Sequence, residues 1–149
     1  MAYTQSELAQ SIAVAAHKGQ VDKAGKPYIE HPAHVAASVQ GDVAKAVAWL
    51  HDVVEDTPLT LADLRERGVA PEVIEALKLL TRDESVPYLE YVRSLKPSLL
   101  ARAVKLADLR HNSDLSRLPC ITEKDQRRAE KYAKAIAILE GEGPEGGEQ

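Results

Sequence analysis

The stretch from Ala46 to Thr57, AVAWLHDVVEDT, most strongly limits what this chain can fold into. Its apolar residues recur at helical spacing and lead directly into His51, Asp52, Glu55 and Asp56. Because positions three and four apart share a helix face, we expect Asp52 to lie beside Glu55 and Asp56. Such a group is either a solvated acidic helix end or, if it is buried, needs a compensating cation such as a divalent metal. This stretch alone leaves both interpretations open.

The rest of the chain also predicts one helix after another. There is no convincing run of alternating apolar and polar residues, and no internal repeat. Residues that favour helix starts are Thr4, Pro32, Asp42, Thr60, Pro71, Pro87, Pro97 and Thr122. The sequence therefore predicts an all-α fold.

The 149 residues, 44% of them hydrophobic, suffice for one compact domain with a real core. We expect this single domain to occupy residues 1–140. The remaining residues, 141–149, read GEGPEGGEQ and have nothing to bury, so a disordered C-terminal tail is expected there.

Composition argues against several classes of partner. The net charge of −4 gives no global attraction to nucleic acid or to an anionic membrane, and no window is apolar enough to span a bilayer. Cys120 is the single cysteine, which excludes an internal disulfide and a cysteine-based zinc site. We therefore expect a cytoplasmic protein that binds neither nucleic acid nor membrane. The sequence leaves the oligomeric state open, and a homo-oligomer is compatible with it.

A second group of polar residues lies in the segment AVKLADLRHN. Asp108 and Asn112 are four residues apart and share a helix face, with Lys105 one turn earlier on the same side. Asp108 is either paired with Lys105 on the surface or joined to a more distant partner. One such partner would be a metal ion. The same ion would also be bound by His31, which precedes Pro32, and by the adjacent pair His51 and Asp52.

Taken together, these residues form the pattern H…HD…D, which resembles the signature of HD metal-dependent phosphohydrolases. The segments GKPYIEHPAHVA, AVAWLHDVVEDT and VKLADLRHN are similar to three successive motifs in the hydrolase domain of RelA/SpoT-type alarmone enzymes. The similarity extends from about Ala15 to Arg117. It implies a helical HD-domain fold in a stand-alone small alarmone hydrolase.

The resemblance also implies a reaction and a cofactor. The expected substrate is guanosine 3′,5′-bispyrophosphate, (p)ppGpp, from which the 3′-pyrophosphate is released to give GDP or GTP. The implied metal is Mn²⁺, held by His31, His51, Asp52 and Asp108, although two imidazoles and two carboxylates also suit Fe²⁺ or Zn²⁺. In the family, the residues that correspond to Glu55 and Asp56 orient or deprotonate the attacking water. The sequence does not say which of the two is the base.

Contacts to the nucleotide are expected from several further residues. Asn112 corresponds to an asparagine that is thought to bind the nucleotide or its ribose, with capping of its own helix as the alternative. Candidate cations for the phosphates are Lys23, Lys26, Lys105, Arg82 and Arg128. Tyr28 is expected to pack against the loop that carries His31, and His111 is expected to point away from Asp108.

Three departures from the alarmone pattern concern the nucleotide. Asp22, beside Lys23, stands where the long enzymes usually carry an arginine, ADLRHN replaces the more frequent ADRLHN, and residues 80–96 differ from the longer stretch of those enzymes. One alternative is therefore another HD phosphohydrolase activity, on a nucleoside monophosphate or on the 2′-phosphate of NADPH. A second alternative is a non-catalytic, nucleotide-binding HD domain.

Overall fold

The fold is helical from its first to its last described element. A computed structural model describes residues 4–118 and 120–141. The helices are α1 (Gln5–Ala16), α2 (Glu30–Ala37), α3 (Asp42–Leu50), α4 (Val53–Asp56), α5 (Leu61–Glu66), α6 (Pro71–Leu80), α7 (Tyr88–Ser94), α8 (Leu99–Asn112) and α9 (Glu123–Glu140), with a 3₁₀ turn at Leu115–Arg117. Within these ranges, extended pairing is limited to an isolated bridge between Val21 and Pro27. The all-α prediction is confirmed, whereas the predicted tail lies outside the described residues except for Gly141.

Three helices begin at the threonines that the sequence singles out. The side chains of Thr4, Thr60 and Thr122 each accept a hydrogen bond from the backbone amide three residues later. In each case the acidic side chain at that later position accepts from the amide of the threonine, which completes a capping box. These boundaries are therefore set by local chemistry that is visible in the sequence.

Asp42 has a different role from the predicted one, which was to cap α3. The N-cap of α3 is Gly41, whose φ of 96° favours glycine, and Asp42 is the first helical residue. The Asp42 carboxylate instead accepts from the backbone amides of Gln5 and Ser6, at 3.0 Å each. Asp42 therefore satisfies two amides in the first turn of α1 and ties that helix to the start of α3.

Helix α3 lies at the centre of the molecule and packs against α1, α2, α6 and α8. Its residues Ala46, Val47, Ala48 and Leu50 are fully buried, and the small alanines let neighbouring helices approach closely. The C-terminal end of α3 therefore delivers the next residue, His51, into the interior. Helix α8 packs against α2, α3 and α9, so it faces the same region.

None of the helices in the described ranges combines the length and the apolar character that crossing a membrane requires.

Candidate metal centre

The predicted continuous helix over Ala46–Thr57 is interrupted in the middle. Helix α3 ends at Leu50, His51 and Asp52 form a turn, and α4 begins at Val53. His51 Nδ1 donates to the carbonyl oxygen of Ala48 at 2.7 Å, which leaves Nε2 facing the interior. The turn also brings Asp52 Oδ2 to 3.2 Å from His51 Nε2, while the backbone amide of Asp56 donates to the carbonyl oxygen of Asp52 at 2.9 Å.

The turn brings four polar side chains from different elements together. His31 comes from α2, His51 and Asp52 from the turn after α3, and Asp108 from α8; one potential ligand atom of each lies within 4.8 Å of all the others. Asp108 Oδ1 lies 2.7 Å from His31 Nε2 and 3.2 Å from His51 Nε2. His31, His51 and Asp108 are buried, and Asp52 is half-buried. The four residues that the sequence nominated as ligands are thus adjacent in the fold.

The carboxylates of this cluster need a cation to balance their negative charge. Burial opposes ionisation of Asp108, yet Lys105 and His51 hold the pKa of its carboxyl well below the usual range. Burial likewise opposes a charge on His51, but Asp52 and Asp108 raise the pKa of its imidazole well above the ordinary value. Two carboxylates converging on two imidazole nitrogens can therefore hold either protons or a divalent metal. The donor set fits such an ion.

Tyr28 contributes more than the expected packing. Its hydroxyl donates a hydrogen bond to Asp52 Oδ2. Burial and the adjacent Asp52 charge raise the pKa of Tyr28, so the phenol remains a donor at ordinary pH. The second carboxylate also accepts from a neutral donor, since Asn112 Nδ2 donates to Asp108 Oδ1 at 3.1 Å. Both carboxylates of the cluster are therefore held by neutral donors.

The expectation that His111 points away from the cluster is wrong. Its Nδ1 lies 2.7 Å from Nδ1 of His31, and its ring also stacks against the exposed His34, with centroids 4.0 Å apart. The sequence did contain a signal for this position. His111 follows Asp108 by three residues, a spacing that places both on one side of α8.

One cavity adjoins the cluster, and a second cavity lies beside the first. The first, here called the polar cavity, has a volume of about 280 Å³ and is lined by Tyr28, Asp52, Arg82, Tyr88, Lys105, Asp108, Asn112, Lys131 and Tyr132. The second, here called the mixed cavity, has a volume of about 320 Å³ and is lined by Val21, Asp22, Lys23, Ala24, Tyr28, Asn112, Asp114, Leu115, Leu118, Asp125, Arg128, Ala129 and Tyr132. Because Tyr28, Asn112 and Tyr132 line both, the two cavities are neighbours.

The predicted substrate-binding residues divide between these cavities. Arg82 and Lys105 line the polar cavity, Lys23 and Arg128 line the mixed cavity, and Asn112 lines both. Lys26 lines neither of them.

One acidic residue, Asp125, contacts both cations of the mixed cavity. Asp125 Oδ1 lies 3.0 Å from Arg128 Nη1 and 3.7 Å from Lys23 Nζ. Asp22, which replaces the arginine of the alarmone pattern, accepts from the amides of Ala24 and Lys26 and so closes a turn in the cavity wall.

Arg110, the arginine whose position is shifted in ADLRHN, lies outside both linings. Its guanidinium instead pairs with Glu140 and links α8 to α9.

Glu55 and Asp56, which the sequence could not distinguish, have different surroundings. Glu55 Oε2 accepts from the backbone amide of Arg82 at 2.8 Å and so anchors a residue of the polar cavity. Partial burial, together with the charges of Asp52 and Glu55, raises the pKa of Asp56. Neither side chain lines the two cavities.

Comparison with known proteins identifies relatives of this chain, although no family model matches it. It is 32% identical to the guanosine-3′,5′-bis(diphosphate) 3′-pyrophosphohydrolase MESH1 of Mus musculus over 152 residues, which cover 91% of this chain and 84% of that protein. The human MESH1 is 33% identical over 132 residues, covering 80% of this chain and 73% of that protein.

The long bacterial enzymes are also similar, but the chain spans only a small part of them. It is 37% identical to the bifunctional (p)ppGpp synthase/hydrolase SpoT of Escherichia coli over 122 residues, which are 70% of this chain and 17% of that enzyme.

A solved structure has the same fold. It was described as a metazoan ortholog of SpoT that hydrolyzes ppGpp, and it superimposes with a TM-score of 0.76 over 95% of this chain and 88% of its own, at 24% identity. The fold and the near-complete alignment with MESH1 agree with the three sequence motifs. The chain belongs to the family of guanosine-3′,5′-bis(diphosphate) 3′-pyrophosphohydrolases that includes MESH1.

Proposed function

We propose that this protein is a metal-dependent hydrolase of (p)ppGpp that releases the 3′-pyrophosphate and leaves GDP or GTP. The observation that carries the proposal is the cluster of His31, His51, Asp52 and Asp108, whose two carboxylates line the polar cavity together with the cations Arg82, Lys105 and Lys131. Relatives that align over most of the chain are named for this activity.

The metal that we propose is Mn²⁺, with His31, His51, Asp52 and Asp108 as its ligands. The nitrogen and oxygen donors of the cluster fit a divalent ion of this kind, and Fe²⁺ and Zn²⁺ remain alternatives. When bound, such an ion supplies a water of lowered pKa and neutralises phosphate charge. The hydrogen bonds from Tyr28 and Asn112 fix the two carboxylates in the ligating orientation.

The polar cavity is the proposed site of the 3′-pyrophosphate. Lys105 Nζ lies 3.1 Å from Asp108 Oδ2 and, because neighbouring Asp108 raises its pKa despite burial, it stays charged beside the reacting phosphate. Arg82 lines the same cavity from the loop after α6. Both cations attract the phosphates and stabilise negative charge as the transition state forms.

The mixed cavity is the proposed site of the nucleoside. Val21, Leu115 and Leu118 provide apolar surface for a base, whereas every residue of the polar cavity carries a polar side chain. The shared wall, which includes Asn112, would place the sugar between the two cavities. The ribose 3′-oxygen then lies next to the metal ligands.

In the proposed reaction, a water oxygen bonds to the phosphorus that carries O3′, and the bond between that phosphorus and O3′ breaks. The nucleoside O3′ takes up a proton, and pyrophosphate is released with the oxygen of water. We assign the role of base to Asp56, because burial and the neighbouring Asp52 raise the pKa of its carboxyl, whereas the Glu55 carboxylate accepts the hydrogen bond from the Arg82 amide. Glu55 holds the Arg82 segment in place.

A second candidate is hydrolysis of another nucleotide phosphate at the same centre, from NADPH or a nucleoside monophosphate. Asp22 favours this candidate, because an acidic residue in the wall of the mixed cavity replaces the arginine of the long enzymes. Both candidates use the same metal ligands. They differ in which nucleoside the mixed cavity accepts.

The test is Mn²⁺-dependent turnover of ppGpp, NADPH and nucleoside monophosphates, with products separated by anion-exchange chromatography. We expect intact pyrophosphate from ppGpp. The Asp52→Ala variant should lose both bound metal and activity, whereas the control Glu75→Ala, which removes an exposed carboxylate from α6, should retain both.

Turnover of NADPH or a monophosphate alone would support the second candidate. Nucleotide binding by metal-free protein without any turnover would instead indicate a non-catalytic domain.

A further inference from the structure

Three cations surround the ring of Tyr88. Lys131 Nζ lies 4.6 Å from the ring centroid, Arg82 Cζ lies 5.4 Å from it and Lys105 Nζ lies 5.9 Å from it. They come from α9, from the loop after α6 and from α8, and all line the polar cavity. The fold therefore brings three positive charges from separate segments to one ring. Each cation gains from the π face, but like charges this close repel one another.

Lys131 differs from the other two in its contacts. Lys105 is paired with Asp108, and Arg82 Nη2 donates to the carbonyl oxygen of Val86 at 3.1 Å. Within the described ranges, the Lys131 ammonium contacts the rings of Tyr88 and Tyr132, at 4.6 and 5.9 Å, and forms no ion pair with a carboxylate. Lys131 was also not among the cations nominated from the sequence. Its charge is thus available to an anion in the cavity.

The position of Lys131 indicates which part of a bound anion its ammonium group contacts. Lys105 lies against the metal ligand Asp108, at the inner end of the polar cavity. Lys131 is exposed and also lines a groove on the surface of α9 with Lys124, Arg127 and Arg128. It therefore stands where the polar cavity meets the surface of α9. In the pose proposed above, the phosphate bonded to O3′ lies beside Asp108, and the second phosphate of a pyrophosphate is then the one nearer Lys131.

We propose that Lys131 binds the terminal phosphate of the 3′-pyrophosphate and makes the site favour a pyrophosphate over a single phosphate. This inference rests on the proposed function and adds a specificity determinant to it. The face of Tyr88 holds the ammonium in place without neutralising it, as a carboxylate would. A charge-assisted bond to the terminal phosphate is absent when the ligand carries one phosphate.

The experiment measures binding of inorganic pyrophosphate and of inorganic phosphate to the Mn²⁺-loaded protein by calorimetry, alongside ppGpp turnover. In Lys131→Met, which keeps a long side chain over Tyr88, the Kd for pyrophosphate should rise about tenfold or more, while the Kd for phosphate changes less than about twofold. The kcat/KM for ppGpp should fall to a similar extent. Lys131→Arg should restore most of the lost pyrophosphate binding.

The matched control is Lys134→Met, which makes the same change of charge at an exposed position of α9 outside both cavities. It should leave the preference for pyrophosphate unchanged. Equal weakening of both anions in Lys131→Met, no weakening of either, or the same effect in Lys134→Met would overturn the inference. If the parent protein does not hydrolyse ppGpp, the proposed function fails, but the calorimetric comparison still decides the role of Lys131.

Discussion

The imidazole of His31 is joined to that of His111 through their Nδ1 atoms, which lie 2.7 Å apart. His31 Nε2 faces the cluster and lies 2.7 Å from Asp108 Oδ1. For Nε2 to bind a cation it must be unprotonated, so the ring proton then resides on Nδ1 and is donated to His111. His111 thereby fixes both the tautomer and the ring orientation of His31.

Replacing His111 should therefore weaken metal binding without removing a ligand. We expect His111→Ala to raise the Kd for Mn²⁺ roughly 10- to 100-fold, the usual effect of losing an outer hydrogen bond to a metal ligand. Titration calorimetry at constant pH gives this Kd directly. The control is His34→Ala, because His34 is exposed and stacks on the ring of His111 without being one of the four cluster residues. Equal Kd values for both variants and the parent protein would contradict this role.

Metal removal should lower thermal stability through the same cluster. A metal that binds the folded state alone stabilises it by about 2.7 kcal/mol when its free concentration is 100 times the Kd. The Tm of the parent protein should therefore rise with Mn²⁺ concentration and fall again on chelation. In Asp52→Ala the Tm should be nearly independent of Mn²⁺, and a parallel rise in both proteins would place the ion elsewhere.

Local sequence signals predicted much of the fold. Capping boxes and the proline that starts α6 depend on residues within one turn, so they can be recognised without knowledge of packing. The predicted cap at Asp42 was wrong because a carboxylate at a helix start can serve any nearby amide. Here the packing of α1 against α3 brings the amides of Gln5 and Ser6 to it.

The four proposed ligands could be grouped from the sequence because their residue types and order form a recognisable pattern, and the structure places them side by side. The residues that contact these four were harder to predict from the sequence, because a contact between helices depends on how those helices rotate and pack. The bond from Tyr28 to Asp52, the bond between His31 and His111, and the placement of Lys131 over Tyr88 all join different elements. Helical spacing shows which residues share a face, as it does for Asp108 and His111, but it does not identify their partners on another helix.

The contact between Asp42 and α1 should contribute measurably to stability. We expect Asp42→Ala to lower the free energy of unfolding by about 0.5–1 kcal/mol, at the low end for a lost cap because the carboxylate is exposed. Urea unfolding at neutral pH measures this difference. Glu75→Ala, at an exposed position inside α6, is the control and should change stability by less than about 0.5 kcal/mol.

The same variant predicts a pH dependence. Hydrogen bonds from Ser6 lower the pKa of folded Asp42 below its ordinary value of 3.8. A carboxyl with a lowered pKa stabilises the fold above its unfolded pKa, and that contribution is lost as the pH falls through the folded pKa. The difference between the parent protein and Asp42→Ala should therefore be constant near neutrality and shrink below about pH 4. A difference that persists unchanged at lower pH would show that the carboxylate charge is not involved.

The assignment of Asp56 as the base predicts a shift in the pH profile when its neighbour is changed. The charge of Glu55 contributes to the raised pKa of Asp56, after burial and Asp52. Glu55→Gln removes that charge, while the amide oxygen of glutamine can still accept the hydrogen bond from the Arg82 amide. Because a protonated Asp56 cannot take up a proton, kcat/KM should decline on the acidic side. In Glu55→Gln this decline should move to lower pH, with activity at neutral pH reduced less than in Asp56→Asn.

Steady-state hydrolysis of ppGpp across the acidic range checks both points. An unshifted decline in Glu55→Gln, together with a larger loss of activity than in Asp56→Asn, would instead assign the base to Glu55.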